Sequence, residues 1–220
     1  MGVGALHIIS YIDMLGTTAK IKASDSAIAF FHMKTIYEQM LGIFTGDSMK
    51  SEQVKVKIFS DNIIIAKETP MSDEAIAINL NQMISLAASF QFRAMLSGWP
   101  VRGGITIGEL YIDDTFVWGE GLLRAYELES KIAVNPRIVI EPAVEGKYCS
   151  KIGLWRRDAG LPTVDYLALC QDEKTLEGIK NPIVSMLKSA DETTIGKIEW
   201  LKSDFNRVCA KRHYINQIIK

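Results

Sequence analysis

The sequence predicts a mixed α/β (α+β) fold: a ferredoxin-like split βαβ sheet with helices on one face, followed by a helical C-terminal extension. Three observations carry that prediction. Short apolar runs rich in β-branched residues alternate with long stretches of helical periodicity. Two of the runs are separated only by a tight-turn sequence, as in a hairpin. Beyond about residue 173 the strand signal disappears.

Residues 5–12, ALHIISYI, are too short for a helix and apolar throughout, which predicts a buried central strand. Gly16-Thr17-Thr18 ends it, and an amphipathic helix is expected from about Ser24, with Ser24 or Asp25 as N-cap, through Phe44. Val54–Phe59 alternates and Ile63–Ala66 is apolar, with Ser60-Asp61-Asn62 as the turn between them. Ser72-Asp73-Glu74 opens a second long helix that Gly98-Trp99-Pro100 stops. Val101–Ile112 is the next strand, with Gly103, Gly104 and Gly108 inside it. A third helix runs from Gly119 to about Ala133, Asn135-Pro136 breaks it, and Arg137–Ile140 and Val164–Leu169 are predicted strands. The domain boundary falls at 172/173.

With 220 residues, 48% apolar and 23% charged, the chain can bury a core without disulfides or structural metal. Twenty-five Lys and Arg against 26 Asp and Glu leave a net charge of −1. That balance speaks against nucleic acid or a membrane surface as partner, since both attract a positive excess. Cys149, Cys170 and Cys209 are scattered and the three histidines lack ligand spacing, so reduced thiols and no zinc site are expected. No leader or long apolar run is seen, and a soluble cytoplasmic protein is expected. From residue 174 on, nine Lys and Arg face five Asp and Glu, a local +4 that leaves −5 for the rest. Ile198, Leu201, Phe205, Val208, Ile215 and Ile219 recur there at helical spacing, which predicts a helical hairpin packed on the main domain or on a partner subunit. A basic nucleic-acid surface is the alternative, and the interspersed acidic residues speak against it.

Asp13 stands at the carboxyl end of an otherwise apolar strand, where a lone carboxylate needs a cation or donors. Asp61 lies on the hairpin turn, where turn chemistry alone also favours Asp. In a split βαβ sheet the first strand and the hairpin are neighbours, which brings the two carboxylates together. Their repulsion is relieved by Mg²⁺ or Mn²⁺, both of which take oxygen ligands. Gly16-Thr17-Thr18 offers backbone amides to an anion, although many strand-to-helix turns look alike. Arg102 opens a Gly-rich strand and reads either as an exposed strand-end residue or as a guanidinium for phosphate.

Together, YIDMLGTT at 11–18, KIFSD at 57–61, VRGGITIG at 101–108 and WGEGLLRAYELES at 118–130 resemble the class III nucleotidyl cyclase domain, over roughly residues 5–170. The resemblance implies that Asp13 and Asp61, with the Met14 carbonyl, bind two divalent cations, Mn²⁺ or Mg²⁺. It places Gly16, Thr17 and Thr18 under a nucleoside triphosphate and Arg102 on its outer phosphates. It puts Lys57 at a base-reading position and implies a homodimer with composite sites.

The departures bear on the substrate. The second base-reading position falls on Phe116, which cannot accept from an adenine amino group, and Ser60 replaces a glycine. The ribose-orienting Asn falls on Leu123 and the transition-state Arg on Glu127; Arg124, one helical turn earlier, is the replacement cation or an ordinary surface arginine. This combination is similar to the Pycsar antiphage cyclases, which make cyclic UMP or cyclic CMP for an effector protein. UTP is expected over CTP because Lys57 can donate to a uracil carbonyl. An adenylate cyclase, favoured by Lys57, and a degenerate nucleotide-binding domain, favoured by Leu123 and Glu127, remain as alternatives. A diguanylate-cyclase type lacks its acidic pair after Gly103-Gly104.

Overall fold

The first strand, β1 (Ala5–Met14), buries Ile8 and Ile12 on one face and Ile9 on the other, which is why its sequence is apolar without alternation. It is the centre of the sheet in a computed structural model that describes residues 4–22, 26–45, 54–149 and 153–220. Two helices follow it, α1 (Thr17–Lys22) and α2 (Ser26–Thr45), and then the hairpin β2 (Val54–Phe59) and β3 (Asn62–Glu68). β3 pairs antiparallel with both β1 and β2, so β1 and β2 run parallel with β3 between them: the split βαβ arrangement expected. The long helix α3 (Asp73–Leu96) starts where Ser72 accepts from the Ala75 amide and ends at Ser97-Gly98, two residues before Pro100.

On the other flank of β1 lies β4 (Val101–Ile112), antiparallel to it, with the short β5 (Val117–Trp118) folded back on its end. Next come α4 (Glu120–Glu127), a π-helical turn (Leu128–Ile132) and β6 (Ile138–Ile140), which is parallel to β4. The chain continues through α5 (Pro142–Tyr148), the hairpin β7 (Trp155–Asp158) and β8 (Leu161–Val164), a 3₁₀ turn (Tyr166–Leu169), α6 (Glu173–Ser189) and α7 (Ile195–Lys211). The strand order is β2-β3-β1-β4-β6-β8-β7.

Helix α3 and the tail helices share one core on one sheet face: Ile8, Ile12, Leu80, Met83 and Phe90 pack in the same cluster as Leu176, Ile183, Leu201 and Phe205. The opposite face carries Ile9, Ala66 and Leu110 under Ala125 of α4, so a helix lies on that side as well. Several expectations differ from the structure. Helix begins at Thr17 rather than near Ser24; Ser24 and Asp25 lie outside the described residues. The third helix converts to a π turn at Leu128. The strand expected over Val164–Leu169 is the end of β8 plus the 3₁₀ turn, because the β7–β8 hairpin is polar (WRRD) and carries Pro162, which masks its strand signal. All three cysteines are free thiols, and burial pushes Cys149 up to about 11 and Cys170 up to about 12.

Candidate functional site

Strand register builds one end of the site. Asp13 lies opposite Asn62 on one side and Arg102 on the other, and the Met14 amide donates to the Asp61 carbonyl at 3.1 Å. Asp13, Asp61 and Arg102 therefore come together at the ends of three adjacent strands. Arg102 donates from Nε to Asp13 Oδ2 at 3.2 Å, and the same Nε lies 2.5 Å from Oε1 of Glu129 on the π turn. One N–H points at one acceptor, so Glu129, with a side chain only 3% exposed, keeps a buried Oε1 without a hydrogen bond.

Burial pushes the Asp13 carboxyl above its ordinary range; the Arg102 hydrogen bond and charge pull it back, and the charge of Asp61 adds to the rise. Glu129 is raised for the same first reason. Tyr11, beside them on β1, is pushed up to about 12 by burial and by the neighbouring acids, and its ring meets Tyr126 of α4 edge-on at 5.6 Å. Two carboxylates on one guanidinium, with Asp61 close enough to act on Asp13, leave an excess of negative charge. Among the described residues no three His, Cys, Asp or Glu side chains form a complete metal cluster. The donor set that fits a hard cation is thus two aspartates and the Met14 carbonyl, completed by solvent or substrate oxygen.

The adjoining turn is held by hydrogen bonds within itself and to the segment before β4. Gly16 has φ +83°, the buried Thr17 donates its hydroxyl to the Met14 carbonyl at 3.0 Å, and Thr18 is exposed. Leu15 N–H donates to the Pro100 carbonyl at 2.8 Å. Lys20 donates to the Gly98 carbonyl at 3.0 Å and sits 3.6 Å over the Trp99 ring, and burial lowers it to about 8. The turn is thereby tied to the start of β4.

Lys57 and Phe116 each neighbour Asp113, at a second place. Lys55 donates to the Ile112 carbonyl at 2.6 Å, which holds the β4–β5 turn against β2. Asp113 accepts from the Thr115 and Phe116 amides at 2.7 Å and from Tyr111 hydroxyl at 2.6 Å. These donors, led by the Phe116 amide and aided by the charge of Lys57, hold its carboxyl down at about 2. The Phe116 ring is exposed.

Arg124 is engaged elsewhere. Its Nη2 donates to Thr106 Oγ1 at 2.8 Å, to the Ile107 carbonyl and to Glu141 Oε2 at 2.9 Å, which ties α4 to β4 and to the start of α5. Thr106 and Arg102 lie on the same strand four residues apart, so within one chain Arg124 is held away from Asp13. Leu123 is exposed, and Glu127 pairs with Lys131 at 2.7 Å. An open recess of about 260 Å³ beside Lys55, His7 and Glu68 lies at the other end of β1 and contains none of the predicted site residues.

Sequence reasoning passed over Glu129 and Asp113. Glu129 was hidden inside a helical pattern, and an acidic residue one position after Leu128 looks solvent-facing until the helix widens into a π turn. Asp113-Asp114 after a strand was a legible turn signal.

Compared with protein-family profiles and with curated proteins, the sequence matches none. Solved structures do resemble it. A monomeric crystal structure of a double mutant of the guanylyl cyclase domain of the RhoGC fusion protein, from the aquatic fungus Blastocladiella emersonii, aligns with a TM-score of 0.50 at 11% identity, over 73% of this chain and 93% of that one. The guanylyl cyclase Cya2 aligns at 0.49 and 12% identity, over 74% of this chain and 91% of its own. At such identity the likeness is one of fold.

Proposed function

On the premise of a class III cyclase fold, we propose that the protein is a pyrimidine nucleotide cyclase, converting UTP, and less favourably CTP, to the 3′,5′-cyclic monophosphate and pyrophosphate. The observation that carries this reading is the convergence of Asp13, Asp61 and Arg102 beside the Gly16–Thr18 turn. Asp13, Asp61 and the Met14 carbonyl hold two divalent cations, Mg²⁺ or Mn²⁺, in this reading. When bound, such ions neutralise phosphate charge and acidify the ribose hydroxyl.

The chain's own residues position the nucleotide. Arg102 exchanges Asp13 for the outer phosphates, Thr17 keeps the turn in shape through its hydrogen bond to Met14, and Gly16 and Thr18 present the turn to the triphosphate. The ribose 3′-oxygen then bonds to the α-phosphorus as its proton passes to solvent water, the bond from that phosphorus to the leaving oxygen breaks, and pyrophosphate departs. Lys57 donates to the base and Phe116 packs on it, a surface suited to a small pyrimidine. The Asp113 carboxylate nearby is already filled by two amides and a hydroxyl, which leaves little acceptor capacity for an adenine amino group. A homodimer joins the Asp13 end of one copy to the Lys57 and Arg124 region of the other. To act on an α-phosphate, Arg124 must exchange Glu141 for phosphate oxygen. The resemblance to the Pycsar cyclases makes the product a signal to an effector protein in bacterial antiphage defence.

One observation favours a second reading. Arg124 is engaged by Glu141, and Leu123 and Glu127 bring no cation, as expected of a domain that binds a nucleotide without turning it over. Incubation with each nucleoside triphosphate and Mn²⁺, with products identified by mass, separates the readings. Cyclic UMP is expected as the main product, and Asp13→Ala or Asp61→Ala is expected to lower pyrophosphate release by about 10²-fold or more. Cyclic AMP instead marks an adenylate cyclase, and no product from any nucleotide marks the binding domain.

A further inference from the structure

The basic tail brings a lysine to the same end of the sheet. Helix α6 follows α3 past its C-terminus: Gly178 lies against Leu96 and Pro182 beside Gly98, just before β4 begins. The last turns of α6 and the first of α7 therefore project beyond the sheet end that carries Asp13 and Arg102. Helix α7 then runs back and is anchored at that end. Its Asp204 pairs with Arg156 at 2.6 Å; Arg156 pairs with Asp158 at 3.3 Å, and Asp158 pairs with Arg137 at 2.5 Å. The Arg137 carbonyl in turn accepts from Gly103, next to Arg102, at 3.0 Å.

Lys197 lies seven residues before Asp204, on the same stripe of α7 and two turns, about 10 Å, nearer the helix tip. It is half-buried, and among the described residues its ammonium makes no hydrogen bond or ion pair. Its charge nonetheless acts on both Asp13 and Glu129, lowering each. An uncommitted cation is thus held within electrostatic reach of the carboxylate cluster by a helix anchored through a partly buried ion-pair chain.

We propose that Lys197 is a polyphosphate-binding residue of the candidate site, so that the tail helix completes a site otherwise built from the sheet. The proposal rests on the nucleotide reading above for the identity of the ligand, a nucleoside triphosphate or its pyrophosphate product. Two divalent cations and Arg102, set against three carboxylates and a triphosphate, still leave net negative charge. Lys197 reduces that excess with a charge-assisted hydrogen bond.

Calorimetric titration of the full chain with inorganic tripolyphosphate in Mg²⁺ tests this without turnover. Lys197→Ala is expected to weaken binding about tenfold, and Lys197→Arg to restore it to within about threefold. Lys202→Ala, on the same helix and paired with Glu199, is expected to leave it unchanged. Equal affinity in Lys197→Ala and the unaltered protein overturns the proposal, as does an equal loss in Lys202→Ala or no binding by the unaltered protein. Melting temperatures of the variants show that each is folded. Binding that depends on Lys197, in a protein that makes no cyclic product from any nucleotide, sinks the cyclase reading and leaves the phosphate site standing.

Discussion

Asp13 and Glu129 crowd one guanidinium, with the charge of Asp61 acting on Asp13, and the crowding has a sign that can be measured. Asp13 and Glu129 are both raised by burial, so each is better accommodated protonated than ionised. Their stabilising contribution is complete below the ordinary carboxylate range and is lost as pH rises through their raised values. Arg102, Lys197 and any bound cation oppose that loss. In metal-free buffer, Asp13→Asn is therefore expected to melt above the wild-type protein, with a gap that widens as pH rises from about 4 to 7. Mn²⁺ at neutral pH is expected to raise the wild-type midpoint by about 2–4 °C per kcal/mol of binding free energy and to leave Asp13→Asn nearly unmoved. An equal rise in both proteins would place the cation elsewhere. Beside Asp61, Ser60 has φ +56°, a backbone that favours glycine, which accounts physically for the glycine at this position in the family it resembles.

At the scale of elements, the glycines of VRGGITIG act as a seat for α4. A Cβ on Gly104 would stand 2.4 Å from the Ala125 carbonyl oxygen, and one on Gly108 would stand 2.7 Å from Gly121 Cα. Helix and strand meet backbone to backbone, which sets the height of α4 over the sheet and hence where the π turn delivers Glu129 to Arg102. Gly104→Ala or Gly108→Ala is expected to cost about 1–3 kcal/mol in urea unfolding through overpacking. Gly146→Ala, in α5 with open space around it, is expected to be neutral or to stabilise by up to about 1 kcal/mol. Similar losses at all three positions would mean that close approach is not what the strand glycines provide.

For the molecule as a whole, the boundary at 172/173 separates elements and not cores. Leu176, Ile179, Ile183, Leu201 and Phe205 are buried in the same cluster as Ile8 and Phe90, and Arg212 donates to the Cys170 and Ala168 carbonyls. Phe205→Ala is expected to cost about 3–5 kcal/mol, and a chain ended at 172 is expected to lose its cooperative melting transition. A sharp transition in that shortened chain would show the tail to be dispensable. No helix among the described residues is long and apolar enough to cross a membrane.

Local patterns made much of this legible. Binary pattern and turn residues place β1, the β2–β3 hairpin, α3 and β4, because these elements bury regular faces and end in Ser, Gly or Pro. The neighbourhood of Asp13 and Asp61 followed from topology, since split βαβ order makes their strands adjacent. The β7–β8 hairpin was not legible, because its charged residues are matched by ion pairs to distant elements, Arg156 to Asp204 of the tail, Arg157 to Glu145 and Asp158 to Arg137, and so need no apolar alternation. By itself, then, the sequence determined the split βαβ half of the sheet, with β1 beside the β2–β3 hairpin, and two carboxylates at one end of it. Tertiary structure alone decided that Glu129 is buried, that Arg124 is tied to Glu141 and that the tail helices share the core of the sheet. Each of those depends on how a helix is seated on the sheet, a matter of packing between residues far apart in the chain, which no local period records.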